Sequence, residues 1–142
     1  MAVSLFINFN GNCRSAVNFY AEVFGSEPSK AMTFGEMPPD PNFPMPEEAK
    51  NLVAYVDVKV QDFILMCSDT LPGTPFVQGN NITISIGSTD MEMIESLFNK
   101  LKEGGTVIME LQETFWSKKY GMLVDKFGIP WMIMYDSGYV VS

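Results

Sequence analysis

The chain has 142 residues, 46% hydrophobic and 18% charged, which is the size and balance of one globular domain and not of a disordered segment. Seventeen acidic residues against nine basic ones give a formal charge of −8, which argues against a nucleic-acid backbone or an anionic membrane as partner. Histidine is absent, so the usual neutral-pH proton shuttle and the commonest transition-metal ligand are both missing.

Val3 to Phe9 reads as a first strand, rich in β-branched and aromatic residues, and Asn10-Gly11-Asn12 breaks it. From Cys13 to Phe24, Ala16, Val17, Phe19, Tyr20, Val23 and Phe24 recur at helical spacing, with an asparagine as the expected cap and Gly25 as the stop. Glu27 to Phe34 is expected as a second strand. Residues 35–46 contain Pro38, Pro39, Pro41, Pro44 and Pro46, which deny backbone donors and predict a surface loop. Leu52 to Val60 alternates as a strand, and the short link through Gln61-Asp62 predicts a hairpin to Phe63–Ser68. Asp69 to Asn80, with Pro72, Gly73, Pro75 and Gly79, reads as a crossing.

The pattern then restarts. Asn81 to Ile86 is expected as a strand, and Ser88 or Thr89 as the cap of a helix burying Met91, Ile94, Leu97, Phe98 and Leu101. Gly104-Gly105 ends it. Strands are expected at Thr106–Leu111, Tyr120–Val124 and Trp131–Tyr135, with Asp125-Lys126-Phe127-Gly128 as a turn. Matching the halves sets Leu5 opposite Ile82, Phe19-Tyr20 opposite Leu97-Phe98, and Gly25 opposite Gly104. The expectation is a single α+β domain over 1–142, built from similar modules at 1–70 and 78–142.

Cys13 and Cys67 are the two cysteines, a sparse usage that reads as reduced thiols inside the cell. The first residues lack a secretory pattern, and no segment approaches the ~20 apolar residues that span a bilayer. A cytoplasmic location without a membrane partner is expected.

The stretches Asn8-Phe9-Asn10-Gly11-Asn12-Cys13, Phe19-Tyr20, Phe24-Gly25, Glu103-Gly104-Gly105-Thr106-Val107, Thr114-Phe115-Trp116 and 125–133 (DKFGIPWMI) carry a family likeness. The chain resembles the glyoxalase/bleomycin-resistance/extradiol-dioxygenase superfamily. Within that superfamily it is similar to the PhnB-like, 3-demethylubiquinone 3-methyltransferase-like group. The resemblance implies two βαβββ modules whose curved mixed sheets form a cleft, and a homodimer. It places the superfamily's metal-ligand positions at or near Leu5, Met66, Asn81 and Met132. Two thioethers, a leucine and one amide are a poor donor set for a divalent ion. Relatives often keep a His-Ala pair in the third strand, where Ala54-Tyr55 stands here. No metal and no other cofactor is therefore expected.

Function is then weighed on the remaining residues. Phe34, Cys67, Asn81, Phe115 and Trp116 are the candidate ligand-binding residues, since aromatic faces suit a small apolar or planar ligand. No catalytic residue is assigned. The leading expectation is a metal-free binding protein for such a ligand. One alternative is a metal-independent isomerase or transferase using Cys67, Asp69, Glu110 or Glu113, and another is a structural or regulatory homodimer. Asp125 is expected to organise its own turn, and the eleven methionines are expected as core filler. Gly104-Gly105 lacks the strand-to-helix placement of a phosphate loop, and no Gly-rich loop of a conventional S-adenosylmethionine domain is visible.

Overall fold

Residues 1–136 are described by the structure, a computed structural model, and the chain divides into one compact unit over Met1–Val77 and a second that begins at Gln78. In the first unit, alternation in Leu5-Phe6-Ile7-Asn8-Phe9 forms strand β1 (Leu5–Phe9), and the helical stripe forms α1 (Cys13–Phe24). Gly25 ends α1 with φ 63°, the left-handed backbone that favours glycine there. A short β2 (Met32–Thr33) follows, then β3 (Val53–Val60) and β4 (Phe63–Asp69). The sheet order is β1-β4-β3-β2, with β1 parallel to β4 and the other pairs antiparallel. The β3–β4 hairpin closes over Gln61-Asp62, and Gln61 takes φ 56°, the positive value that tight hairpins favour.

The second unit repeats the order. It contains β5 (Ile84–Ser88), α2 (Met91–Leu101), β6 (Thr106–Gln112), β7 (Tyr120–Val124) and β8 (Pro130–Tyr135). Its sheet order is β5-β8-β7-β6, again with the first strand parallel to the last. Each helix packs on its own sheet, α1 on the two central strands and α2 on one central strand and the adjoining edge strand. α1 buries Ala16, Val17 and Tyr20 on β3 and β4, and α2 buries Ile94, Leu97 and Phe98 on β5 and β8.

The structure differs from the sequence expectations at five points. The second strand is only Met32–Thr33, because Pro28 has no N–H and Ser29 ties the segment to β3 differently. Its N–H donates to the Asp57 carbonyl at 2.9 Å, and its hydroxyl accepts from the Asp57 N–H at 2.9 Å. The fifth strand begins at Ile84, not Asn81, since its partner run in β8 starts with Ile84 beside Trp131. With Leu5 beside Leu65 in β1, Leu5 corresponds to Ile84 and not to Ile82. The α2 cap is Asp90, whose carboxylate accepts from Met93 N–H at 3.1 Å, while Ser88 accepts from Asp90 N–H. Asn12 occupies the α1 cap position without a side-chain bond, and a distant carboxylate substitutes for it.

The proline-rich stretch carries two one-turn 3-10 helices at its borders, Phe34–Glu36 and Glu47–Ala49, and leaves Phe43 largely exposed. Among the described residues no helix is long and apolar enough to cross a membrane. Gly105 has no room for a side chain, because an added Cβ would press into the Val124 carbonyl and the Asp125 backbone. Gly105→Ala is expected to lower stability by about 1–3 kcal/mol, read as a lower urea midpoint.

Candidate functional site

Strand alternation decides which side chains reach each face of a sheet. In β4, Leu65, Cys67 and Asp69 point to α1 and are buried, so Ile64, Met66 and Ser68 point to the opposite face. Cys67 is 0% exposed and meets Cys13, also 0% exposed, at the start of the helix. The hydrogen bond to Cys67, then burial, then the Asp69 charge push the Cys13 thiol far above the ordinary thiol range. Neither thiol is poised as a nucleophile, and Cys67 is removed from any face that a ligand reaches in this unit.

Asp69 is the carboxylate that substitutes for the missing asparagine cap. Its Oδ1 accepts from Cys13 N–H and its Oδ2 from Val53 N–H, both at 2.9 Å. Both oxygens are occupied by backbone donors, which makes the residue a joint between helix and sheet rather than a free base.

On the sheet face away from α1, register places Phe6 beside Met66 and Met66 beside Asp57. Asn8 Oδ1 accepts from the Ser68 hydroxyl at 3.1 Å, and Tyr55 O–H donates to Asp57 Oδ2 at 2.9 Å. The hydrogen bond to Asp57, with a smaller contribution from burial, raises the Tyr55 phenol above its ordinary 10.0. Leu5 pairs with Leu65 and therefore shares the α1 side. Phe6, not Leu5, is the β1 residue level with Met66 on the open face.

In the second unit the corresponding open-face pair is Ser85 beside Met132, while Asn81 lies exposed before β5. In the first unit Phe6 and Met66 offer a phenyl ring and a thioether, and in the second Ser85 and Met132 offer a hydroxyl and a thioether, so neither unit presents charged oxygen or nitrogen donors for a divalent metal at these positions. Among the described residues no group of three or more His, Cys, Asp and Glu converges. The superfamily's metal does not fit these positions.

Asp125 organises the β7–β8 turn. Its Oδ1 accepts from Phe127 and Ile129 N–H at 2.8 and 3.0 Å, and its Oδ2 accepts from the Trp131 indole at 2.8 Å. Trp131 is fully buried and belongs to the core.

The β6–β7 loop and the end of β8 form a pocket of about 760 Å³, lined by Glu113, Phe115, Trp116, Lys118, Met134 and Tyr135 among others. Its loop is pinned locally. Thr114 Oγ1 accepts from Ser117 N–H at 3.1 Å, and the Ser117 hydroxyl reaches the carbonyls of Lys119 at 2.7 Å and Tyr135 at 2.9 Å. Trp116 meets Phe115 edge-on at 4.6 Å and Tyr120 at 5.4 Å. Lys118 Nζ sits 5.0 Å over the Tyr135 ring.

Of the five candidate residues, the structure brings Phe115 and Trp116 together at this pocket. Phe34 is half-buried in the first unit, Cys67 is in the core and Asn81 is exposed on a connecting segment. The lining residues Lys118 and Tyr135 were missed, and Met134, expected as core filler, also lines the pocket. The Thr114-to-Ser117 spacing, suited to a side-chain-capped turn, was the one local signal of an ordered loop there.

The βαβββ order of each unit, with a mixed four-stranded sheet and one helix, is that of the glyoxalase/bleomycin-resistance group. A glyoxalase/bleomycin resistance protein/dioxygenase family enzyme from Burkholderia phytofirmans shares this fold at 13% identity. The match covers 92% of this chain and 95% of that one, with a TM-score of 0.62. The chain belongs to the family described as 3-demethylubiquinone-9 3-methyltransferase, whose model matches residues 1–134. It is 32% identical to Protein YjdN of Escherichia coli over 94% of each chain. The crystal structure of protein PA1353 from Pseudomonas aeruginosa matches at 33% identity and TM-score 0.84, over 96% of this chain and 98% of that one. A putative 3-demethylubiquinone-9 3-methyltransferase, PhnB protein, from Bacillus cereus matches at 26% identity and TM-score 0.77, over 96% and 100%.

Proposed function

We propose that the chain binds a small, at least partly apolar molecule without a metal, in the pocket beside Trp116. The supporting observation is that pocket of about 760 Å³, within the range of small-molecule sites, with exposed aromatic rings on a hydrogen-bonded loop. Trp116 remains 56% exposed although two rings pack against it, so part of its indole is available to a ligand.

The enzyme reading is narrower. Of Cys67, Asp69, Glu110 and Glu113, only Glu113 lines the pocket, so a metal-independent reaction would depend on this carboxylate.

The test uses ¹⁵N-labelled protein treated with a chelator and titrated with one-ring aromatic probes of positive, negative and zero charge. At least one probe is expected to shift the Trp116 indole N–H saturably while the Trp131 signal stays in place. Trp116→Ala is expected to weaken that probe about tenfold, a typical loss for an aromatic anchor. Absence of saturation by all three probes, or binding that requires added metal, would overturn the proposal.

A further inference from the structure

The pocket's charges define a class of ligand, provided that it binds a small molecule as proposed above. Among the described residues Glu113, Asp136 and Lys118 are the charged ones that line it, two acidic to one basic. The chain as a whole carries −8, which deepens the local negative potential. An anionic ring entering here would meet the Glu113 carboxylate as well as the Lys118 ammonium group.

The ammonium group is already engaged. Lys118 Nζ lies 5.0 Å over the Tyr135 ring, within the distance at which an aromatic face attracts a cation. The pocket therefore holds a cation from its own chain against one of its aromatic walls. Phe115 and Trp116 add two more rings, and indole has the strongest such face among the aromatic side chains. Met134 contributes a polarisable thioether to the same lining. These are the components that hold an ammonium group with an apolar body.

We propose that the pocket selects an organic cation, an alkyl- or arylammonium group, which displaces the Lys118 ammonium from the Tyr135 ring. Its apolar part lies along Phe115 and Trp116, and Glu113 supplies the opposing charge. Lys118 then has a definite role as an internal competitor that lowers affinity for cations and raises it for anions.

The experiment compares phenyltrimethylammonium, benzoate and benzyl alcohol on the full chain by the Trp116 indole signal, at low and high salt. Phenyltrimethylammonium is expected to bind about tenfold more tightly than either other probe at low salt, with the advantage shrinking as salt screens the carboxylates. Glu113→Gln is expected to weaken the ammonium probe about threefold and leave benzyl alcohol unchanged. Lys118→Ala is expected to strengthen the ammonium probe severalfold while weakening benzoate, a reversal that a merely structural role would not give.

Benzoate or benzyl alcohol binding tightest, or Lys118→Ala weakening the ammonium probe, would overturn the cation assignment while leaving a binding pocket in place. If none of the three probes binds, the pocket reading fails and the cation assignment with it.

Discussion

Asp125→Ala is expected to remove about 3–5 kcal/mol of stability, a large share of what a domain of this size possesses. Asp125 is 3% exposed, and its carboxylate accepts from the Phe127 and Ile129 amides and the Trp131 indole. Alanine leaves all three without this acceptor. The two amides lie in a partly buried turn, where water can compensate for some of the loss. The indole belongs to a fully buried side chain and has no such recourse. Asp125→Asn keeps one acceptor oxygen but turns an amide donor toward another donor, so it is expected to cost about half as much. Trp131→Phe removes the opposite partner, and a double-mutant cycle between the two positions is expected to show coupling of about 1–2 kcal/mol. Urea denaturation followed by circular dichroism measures the parent, the three single variants and the double mutant. An Asp125→Ala loss below about 1 kcal/mol would mean that the carboxylate does not organise this turn, and full additivity in the cycle would mean that its bond to the Trp131 indole adds nothing.

Asp125 also shows what a sequence can reveal about this fold. Its partners lie two, four and six residues away, so the Asp-Lys-Phe-Gly pattern could be read as a turn from local chemistry. The same holds for α1, whose stripe and terminal glycine define Cys13–Phe24. Non-local geometry was less accessible. Alternation sets Leu65 and Cys67 on the same face of β4, but not which face α1 covers, and that choice decides whether Cys67 meets a ligand or the core.

The start of β5 was illegible for a related reason. Asn81 and Ile82 alternate well enough, yet residues preceding Ile84 would have to pair with the turn before Trp131. Ile129 is already committed there, its amide to the Asp125 carboxylate and its carbonyl to the Asp125 N–H. The pocket combines both cases. Phe115 and Trp116 stood out as aromatic residues in a loop, but Lys118 and Tyr135 became relevant only when Ser117 fastened that loop to the end of β8.

Asp69→Ala is expected to destabilise the first unit by about 2–4 kcal/mol, although sequence alone presents this residue as one more acid near a strand end. The side chain is 4% exposed and bridges the first turn of α1 to the start of β3 through the Cys13 and Val53 amides. A carboxylate at a helix N-terminus also gains from the helix dipole, by about 0.3–1 kcal/mol. Alanine leaves both amides without their acceptor in a region that excludes water, since Cys13 and Val53 are 0% and 1% exposed. The loss should be local before it is global. Hydrogen exchange at Cys13 and Val53 is expected to accelerate, while protection around Trp131 in the second unit changes little. Loosening the helix start should also open the adjoining thiols, so Cys13 and Cys67 should alkylate faster than in the parent protein. An Asp69 held in reserve for proton transfer would give the opposite pattern. Its removal would leave stability, amide protection and thiol accessibility unchanged, and that outcome would return Asp69 to the list of candidate bases.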